Sequence, residues 1–284
     1  MVLSFLDSVV CINELFEQPN PFAIGKLGSV ELDALVHFTS QVCDQQQSMF
    51  PDYLKKHLYV NAGVFPRTEA ARLSFCQRLV DDLAELDVAA LWSAPYPNQE
   101  AKIIQGRAPD CVAVELPALE PYYSGMPWSR HLAGKKVLVI SPFAATIREQ
   151  YRKRQSIWRN PDVLPQFELC ALGHPLSPGV TGDSPKYESW QHMVDALKST
   201  MNQASYEIAL VGTGASSIPL IAHAKRMGKI GIHLGGALQI LFGIKGGRWL
   251  SKKNVNCFFN DSWTSPSASE TPIHKHLVEG GCYW

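Results

Sequence analysis

The chain has 284 residues and is 46% hydrophobic, so it is long enough to bury a large core in one or two domains. Basic and acidic residues balance at 26 each, and a net charge of zero argues against a general nucleic-acid binder. The seven cysteines form no CxxC pair, which argues against a zinc ribbon and favours a reducing compartment. No apolar run reaches about 18 residues, so we expect a cytoplasmic protein without a membrane span.

The first predicted elements are a helix, a strand and a second helix. The apolar positions of about 1–18 predict an N-terminal helix rather than a signal peptide, because the segment lacks a basic start and carries Asp7. A buried strand is predicted at Phe22–Ile24. It leads into a glycine loop at Gly25–Gly28, and a helix follows with Ser29 as its N-cap.

The next segment predicts a helix and two strands. Apolar residues keep helical spacing from about Thr68 to Leu86, and strands are expected at Ala89–Trp92 and Val112–Glu115. The stretches Pro95–Arg107 and Leu116–Trp128 are rich in proline and glycine, so both are interpreted as ordered loops.

The middle of the chain predicts a strong buried strand over Lys135–Ile140, ending in the loop Ser141–Phe143. A helix should follow, because apolar residues recur at intervals of four from Phe143. From Asn160 to Lys186 five prolines favour a loop. A surface helix is then predicted through Trp190–Met201.

The clearest pattern spans about 27 residues near position 220. A strand at Ile208–Val211, a helix at Ile218–Met227 and a strand at Ile230–Leu234 make one parallel βαβ unit. We therefore predict an α/β fold with a Rossmann-like, doubly wound, mainly parallel sheet. No composition shift marks a boundary, so residues 1–284 are expected to form a single domain with a C-terminal tail at about 250–284.

Glycine-bearing loops follow three of these strands, at Gly25–Gly28, Gly212–Gly214 and Gly235–Gly236. Such loops can present backbone N–H groups to phosphate, although glycine also simply permits tight turns. Motifs for other chemistries are missing: the dinucleotide fingerprint fails at Ser217 and His233, and neither a P-loop nor GxSxG occurs.

Several charged residues have both a structural and a functional interpretation. Lys245 and Arg248 either neutralise a diphosphate or form a solvated turn over Trp249. Glu31 either stabilises the start of a helix through the dipole or acts chemically. The basic run Arg148–Arg154 is typical of a solvated helix face, and contact with an anionic acceptor or a membrane surface is the alternative. His223 and His233 are each interpreted as core or loop histidines.

Several motifs resemble those of glycosyltransferases of the GT-D fold, a family tied to bacterial polysaccharide and glycan synthesis. The segment Ile24–Glu31 resembles the family's I-G-R-x-G-D-G-E motif, and Asn61–Pro66 is similar to its following loop. Gly134–Phe143 resembles its central strand and loop. The densest similarity lies in 209–215 and 233–249, and residues 278–284 also resemble relatives.

The resemblance implies an enzyme that moves a sugar from a nucleoside-diphosphate sugar to a glycan, polysaccharide, glycoprotein or lipid-linked acceptor. In that family a D-x-E motif meets a divalent metal, Mn²⁺ or Mg²⁺, and the donor. Its glutamate corresponds to Glu31, expected as the catalytic base or metal contact, while its aspartate is replaced by Ser29. Any metal is therefore expected to be held mainly through the donor diphosphate. Trp249 and the proline-rich loops are candidates for excluding water.

The residues expected to bind the donor lie on the loops named above. They are Gly25, Lys26, Gly28, Ser29, Asn61, Gly63, Ser141, Pro142, Phe143, Gly212, Thr213, Gly214, His233, Gly235, Gly236, Gln239, Lys245 and Arg248. The Ser29 replacement motivates one alternative, a catalytically degenerate sugar-nucleotide-binding subunit of a polysaccharide-synthesis complex. A nucleotide-dependent methyltransferase or dehydrogenase is a third hypothesis, resting on the sheet alone.

Overall fold

The seven strands of the described residues form one sheet in which every pair is parallel. The computed structural model describes residues 2–44, 50–92, 97–182 and 186–284. The strands are β1 Ala23–Gly25, β2 Val88–Leu91, β3 Val112–Glu115, β4 Lys136–Ser141, β5 Glu168–Gly173, β6 Ile208–Val211 and β7 Ile230–His233. Their order across the sheet is β3-β2-β1-β7-β6-β4-β5. The predicted Rossmann-like α/β fold is therefore confirmed.

Helices flank this sheet throughout the described ranges. They are α1 Phe5–Leu15, α2 Ser29–Asp44, α3 Asp52–Val60, α4 Glu69–Leu83, α5 Pro97–Gln105, α6 Leu116–Leu119, α7 Ala144–Arg152, α8 Arg154–Ile157, α9 Pro178–Thr181, α10 Trp190–Gln203, α11 Ser217–Arg226, α12 Ala237–Leu241, α13 Gly247–Leu250 and α14 Lys253–Asn256. Short 3₁₀ turns connect several of them. Within these ranges, no helix combines the length and the apolar character that crossing a bilayer requires.

The two faces of the sheet are covered by separate hydrophobic clusters. Leu138 and Ile140 of β4 enter the cluster that contains Trp190, whereas Val137 and Val139 enter the cluster that contains Trp128. This division follows the two-residue period of a strand, whose successive side chains point to opposite faces. Burial on both sides explains why the inner strands read as continuous apolar runs.

The connections of the sheet leave in opposite directions from two neighbouring strands, β4 and β6. From β4 the chain moves outward to β5, whereas from β6 it moves the other way to β7, and β1 leads in that same direction through β2 to β3. In parallel sheets, ligands bind in the crevice at the carboxyl ends of the strands next to such a reversal. The loops after β1, β6 and β7 all lead into this crevice, as the glycine patterns predict.

Three segments differ from their predicted structure. In the predicted loop 116–128, helix α6 and the 3₁₀ turn Pro121–Tyr123 occupy most of the first eight residues. Strand β5 pairs along its whole length with β4, so the prediction of a continuous loop over 160–186 was wrong. Its prolines flank the strand rather than interrupt it. Helix α5 occupies most of the predicted loop 95–107, with Pro97 in its first position, where a missing N–H costs nothing. Pro95 and Pro185 lie outside the described residues.

The boundaries of other elements shift by one to three residues. Helix α4 begins after its N-cap Thr68, as expected, but ends at Leu83 rather than at Leu86. Helix α2 begins at Ser29 itself.

Candidate functional site

The crevice at the carboxyl ends of the strands holds a cavity of about 510 Å³. Loops that follow six of the seven strands line it: Lys26 after β1, Trp92 after β2, Pro142 after β4, His174 after β5, Gly212–Gly214 after β6 and Gly235–Gly236 after β7. The rest of the wall comes from the start of α2, the end of α3, parts of α9, α10, α12 and α13, and the C-terminal tail. The cavity is in the size range of small-molecule sites.

Most of the residues expected from the sequence lie around this single cavity. They are Lys26, Gly28, Ser29, Glu31, Asn61, Gly63, Ser141, Pro142, Phe143, Gly212, Thr213, Gly214, His233, Gly235, Gly236, Gln239 and Arg248. Their functional roles remain predictions, but their grouping matches the expectation that one ligand contacts all of these loops.

Three expected residues do not line the cavity. A Cβ on Gly25 would lie 2.8 Å from Ile218 Cδ1, so this glycine permits close packing of β1 against α11. The Lys245 ammonium lies 5.8 Å from the centre of the Phe259 ring, away from the cavity wall. Trp249 is buried behind Gly236, where an added Cβ would lie 2.9 Å from the indole ring. The loop that carries Lys245 and Arg248 therefore contributes one cation to the cavity, Arg248, rather than two.

Glu31 lies in the first turn of α2, with its carboxylate folded back over the preceding loop. A Cβ on Gly28 would lie 2.1 Å from Glu31 Oε2, and a Cβ on Gly214 would lie 4.0 Å from Oε1. The carboxylate thus lies between two of the glycine loops. Burial raises the pKa of this carboxyl, opposed by its own backbone N–H and by the charge of Lys26.

Lys26 brings a positive charge into the buried part of the cavity. Its Nζ lies 5.0 Å from the centre of the Trp92 ring. Burial lowers the pKa of Lys26, and the positive charge of Arg248 acts in the same direction, while Glu120, Glu31 and Glu100 oppose them. The site therefore contains an ammonium group surrounded by carboxylates at longer range.

Glu100 and Glu120 support this arrangement from behind the loops. Glu100 is fully buried; its Oε2 accepts a 3.0 Å hydrogen bond from the Trp92 backbone N–H, and burial raises the pKa of Glu100 to about 7. Glu120 accepts a 2.6 Å hydrogen bond from the Tyr122 hydroxyl, and burial raises the pKa of Glu120 as well.

Arg248 reaches the cavity from α13 and is already engaged by the tail. Its guanidinium forms an ion pair with Glu279 and lies 4.6 Å from the centre of the Tyr283 ring. Its side chain keeps 26% of its exposure, so part of the guanidinium stays accessible. Burial opposes the charged form of Arg248, but the neighbouring Glu279 carboxylate helps to keep the pKa of Arg248 raised.

Two buried polar atoms of the cavity wall have no hydrogen-bond partner among the described residues. They are Nδ1 of His233 and Oε1 of Gln239, on side chains that are 5% and 3% exposed. Burial and the neighbouring Lys26 charge lower the pKa of His233 well below its usual value, so the ring is neutral. Unpartnered buried polar atoms are costly, and a polar ligand in the cavity would satisfy them.

The sequence analysis missed several residues of the wall. Trp92 and His174 follow β2 and β5, and His174 Nε2 lies 3.1 Å from Ser216 Oγ. Burial lowers the pKa of His174 to about 4, so this ring is also neutral. Of the tail, Val278, Glu279, Tyr283 and Trp284 line the cavity. A prediction of β5 would have placed His174 at the end of a strand.

Hydrogen bonds hold the end of the tail, residues 278–284, over the cavity. The Gln239 amide donates to Tyr283 O at 2.7 Å, and the Arg248 backbone N–H donates to Cys282 O at 2.8 Å. The Trp284 indole N–H donates to Glu270 O at 2.9 Å. Glu270 in turn accepts the Ala145 backbone N–H at the start of α7. The tail is therefore an ordered wall of the cavity.

The residues present do not fit a divalent metal held by the protein. No group of three or more His, Cys, Asp or Glu side chains in the described part of the chain has the geometry to hold one. Of the two carboxylates that line the cavity, Glu279 is paired with Arg248, which leaves Glu31, and Ser29 beside it offers only a hydroxyl. Hard cations favour several oxygen ligands, and this donor set supplies few.

Comparisons with family models, with curated proteins and with solved structures gave no match. The resemblance to GT-D glycosyltransferases therefore rests on the motifs alone.

Proposed function

We propose that this protein is a glycosyltransferase that moves a sugar from a nucleoside-diphosphate sugar to an acceptor hydroxyl. One observation carries the proposal. The glycine loops after β1, β6 and β7 meet at one cavity together with two cations, Lys26 and Arg248, and one buried carboxylate, Glu31. Phosphate binding, leaving-group stabilisation and proton removal need these three kinds of group.

The two cations favour an anionic ligand. The charge of Arg248 lowers the pKa of Lys26, so the two groups repel one another in the unliganded cavity. A diphosphate between them would relieve this repulsion and would accept hydrogen bonds from both. Backbone N–H groups of the glycine loops can approach the same phosphates closely, because no side chain intervenes.

Glu31 is suited to remove the proton from the acceptor. Its raised pKa makes its carboxylate a stronger base than an ordinary one. In the proposed step the acceptor oxygen bonds to the anomeric carbon, and the bond from that carbon to the phosphate oxygen breaks. Glu31 takes the hydroxyl proton, and the nucleoside diphosphate leaves with the bonding electron pair.

An apolar part of the cavity wall is suited to exclude water from this step. Val60, Val180 and Val278 pack into a small cluster, with Tyr283 and Trp284 against it. All five line the cavity. Exclusion of water limits hydrolysis of the donor and strengthens the electrostatic contacts within the site.

We further propose that the protein acts in the cytoplasm in bacterial polysaccharide or glycan synthesis. A lipid-linked acceptor would bring it to a membrane surface without a membrane span.

The second candidate function is a sugar-nucleotide-binding subunit without transfer activity. The replacement of the motif's aspartate by Ser29 favours it, because the site then holds one carboxylate where the resembling family has two. The two candidates share donor binding and differ in turnover.

A thermal-shift screen tests the shared part of both candidates. The protein is melted with a panel of nucleoside diphosphates and their sugars, and separately with S-adenosylmethionine and with NAD. A ligand that binds the folded protein stabilises it by mass action and so raises its melting temperature. At a ligand concentration of a hundred times Kd, the free energy of unfolding rises by about 2.7 kcal/mol. Stabilisation by a nucleoside-diphosphate sugar supports the proposal. Stabilisation only by S-adenosylmethionine or NAD contradicts it.

A further inference from the structure

The Lys26 ammonium is a cavity cation that has no direct acidic partner. No carboxylate of the described residues lies within ion-pair distance of its Nζ, although Glu31, Glu100 and Glu120 all act on it at longer range. A Cβ on Gly235 would lie 3.0 Å from this Nζ, so the ammonium lies directly against the glycine loop after β7. It is held in place and left free to contact a ligand.

The carboxylates near this ammonium are poorly arranged for a divalent cation. Glu31 Oε2 lies over Gly28, and the Glu31 carboxylate is folded back toward the loop that precedes α2. Ser29 offers a hydroxyl where a second carboxylate would be needed, and Glu279 is paired with Arg248. A fixed positive charge at Lys26 also repels a cation near Glu31. A lysine ammonium, as a compact charge with three donors, binds phosphate well.

We propose that the Lys26 ammonium supplies the positive charge that stabilises the leaving diphosphate, so that donor binding and sugar transfer need no divalent metal. This inference rests on the proposed function and makes Lys26 a catalytic residue of that reaction. The negative charge that develops on the phosphate oxygen, as its bond to the anomeric carbon breaks, is met by Lys26 on one side and by Arg248 on the other. The acceptor proton goes to Glu31, so no further group is needed to balance the step.

The test is nucleotide binding measured by titration calorimetry in EDTA and in excess Mn²⁺. The titrants are UDP, GDP, CDP, ADP and dTDP, each with its nucleoside as the phosphate-free reference. Lys26→Met is compared with Lys153→Met, which removes an exposed lysine outside the cavity. Melting curves confirm that each variant is folded.

We expect one nucleoside diphosphate to bind equally well in EDTA and in Mn²⁺. Lys26→Met should weaken the binding of that diphosphate by about 10- to 100-fold, the usual effect of losing a hydrogen bond to a charged group. The affinity for the corresponding nucleoside should stay unchanged. Lys153→Met should bind like the wild type.

Binding that appears only with Mn²⁺, or that Mn²⁺ strengthens by about tenfold or more, would overturn the metal independence and leave the proposed function standing. Unchanged diphosphate affinity in a folded Lys26→Met protein would overturn the role of Lys26. If none of the nucleoside diphosphates binds, either in EDTA or in Mn²⁺, the proposed function itself would be contradicted. The wild-type comparison of EDTA with Mn²⁺ decides the question of the metal even where Lys26→Met fails to fold.

Discussion

Replacing Glu31 by glutamine separates its chemical role from its structural one. The change keeps the size of the side chain and removes the charge. If Glu31 is the base, its loss should lower the rate of sugar transfer by about 10²–10⁴-fold, which corresponds to about 2.7–5.4 kcal/mol in the barrier. The fold should survive, because an acidic residue in the first turn of a helix contributes only about 0.3–1 kcal/mol through the dipole.

The raised pKa of Glu31 also determines how the difference in stability between the wild type and Glu31→Gln changes with pH. The folded-state pKa lies above the ordinary value of 4.5, so the folded protein binds this proton more tightly than the unfolded chain does. The stabilisation from Glu31 is therefore present at low pH and is lost as the pH rises through the raised pKa. A glutamine amide does not titrate and has no such dependence. Relative to the wild type, Glu31→Gln should become more stable as the pH rises above 4.5.

The assay is initial-rate sugar transfer beside melting temperature, at several pH values, for the wild type, Glu31→Gln and Asp33→Asn. Asp33 lies in the same helix and outside the cavity wall, so its variant controls for loss of an acidic residue from α2. Normal transfer by Glu31→Gln, or a loss fully explained by unfolding, would refute the reasoning. Either result would return Glu31 to a structural role and favour the non-catalytic binding subunit.

Four further substitutions test the cavity and the packing of the sheet behind it. Arg248→Ala should weaken nucleoside-diphosphate binding by about 1.5–3 kcal/mol in calorimetry, whereas Lys245→Ala should leave it unchanged; equal effects would contradict the assignment of one cation to the cavity. Gly28→Ala should displace the Glu31 carboxylate, since the new Cβ would meet Oε2 at 2.1 Å, and should cut transfer by about 10²-fold with little change in melting temperature. Gly231→Ala places a Cβ 2.6 Å from a backbone oxygen of α11 and should cost about 1–3 kcal/mol in chemical denaturation; wild-type stability would show that this contact relaxes freely.

The sequence predicted those strands that are buried on both faces, because a continuous apolar run then marks the strand and a glycine or serine marks its end. Strands β4, β6 and β7 are apolar runs. Strand β4 ends at Ser141, Gly212 follows β6 directly, and a pair of glycines follows β7 after Leu234, so the strand positions and their shared edge were predictable. Strand β5 was missed because it is an edge strand whose outward positions, such as Glu168 and Cys170, are exposed, so its pattern is not that of a buried strand.

The candidate site was predictable only for residues on loops next to a predicted strand. The tail residues Glu279 and Tyr283 reach the cavity through tertiary contacts with Arg248 and Gln239, and no local pattern carries that information. The same limit explains the error at Lys245. Its place in a glycine-rich loop gives no sign that the side chain turns toward Phe259 rather than toward the cavity.

The most direct test of the account is sugar transfer itself. Radiolabelled nucleoside-diphosphate sugars are incubated with the full chain, and the released nucleoside diphosphate and the transferred or hydrolysed sugar are both quantified. The account predicts that one donor is turned over by the wild type and by Asp33→Asn, and that turnover falls by about 10²–10⁴-fold in a folded Glu31→Gln protein that still binds the donor. Donor binding without any turnover by the wild type would contradict the catalytic role of Glu31, and failure to bind any nucleoside-diphosphate sugar would contradict the account as a whole.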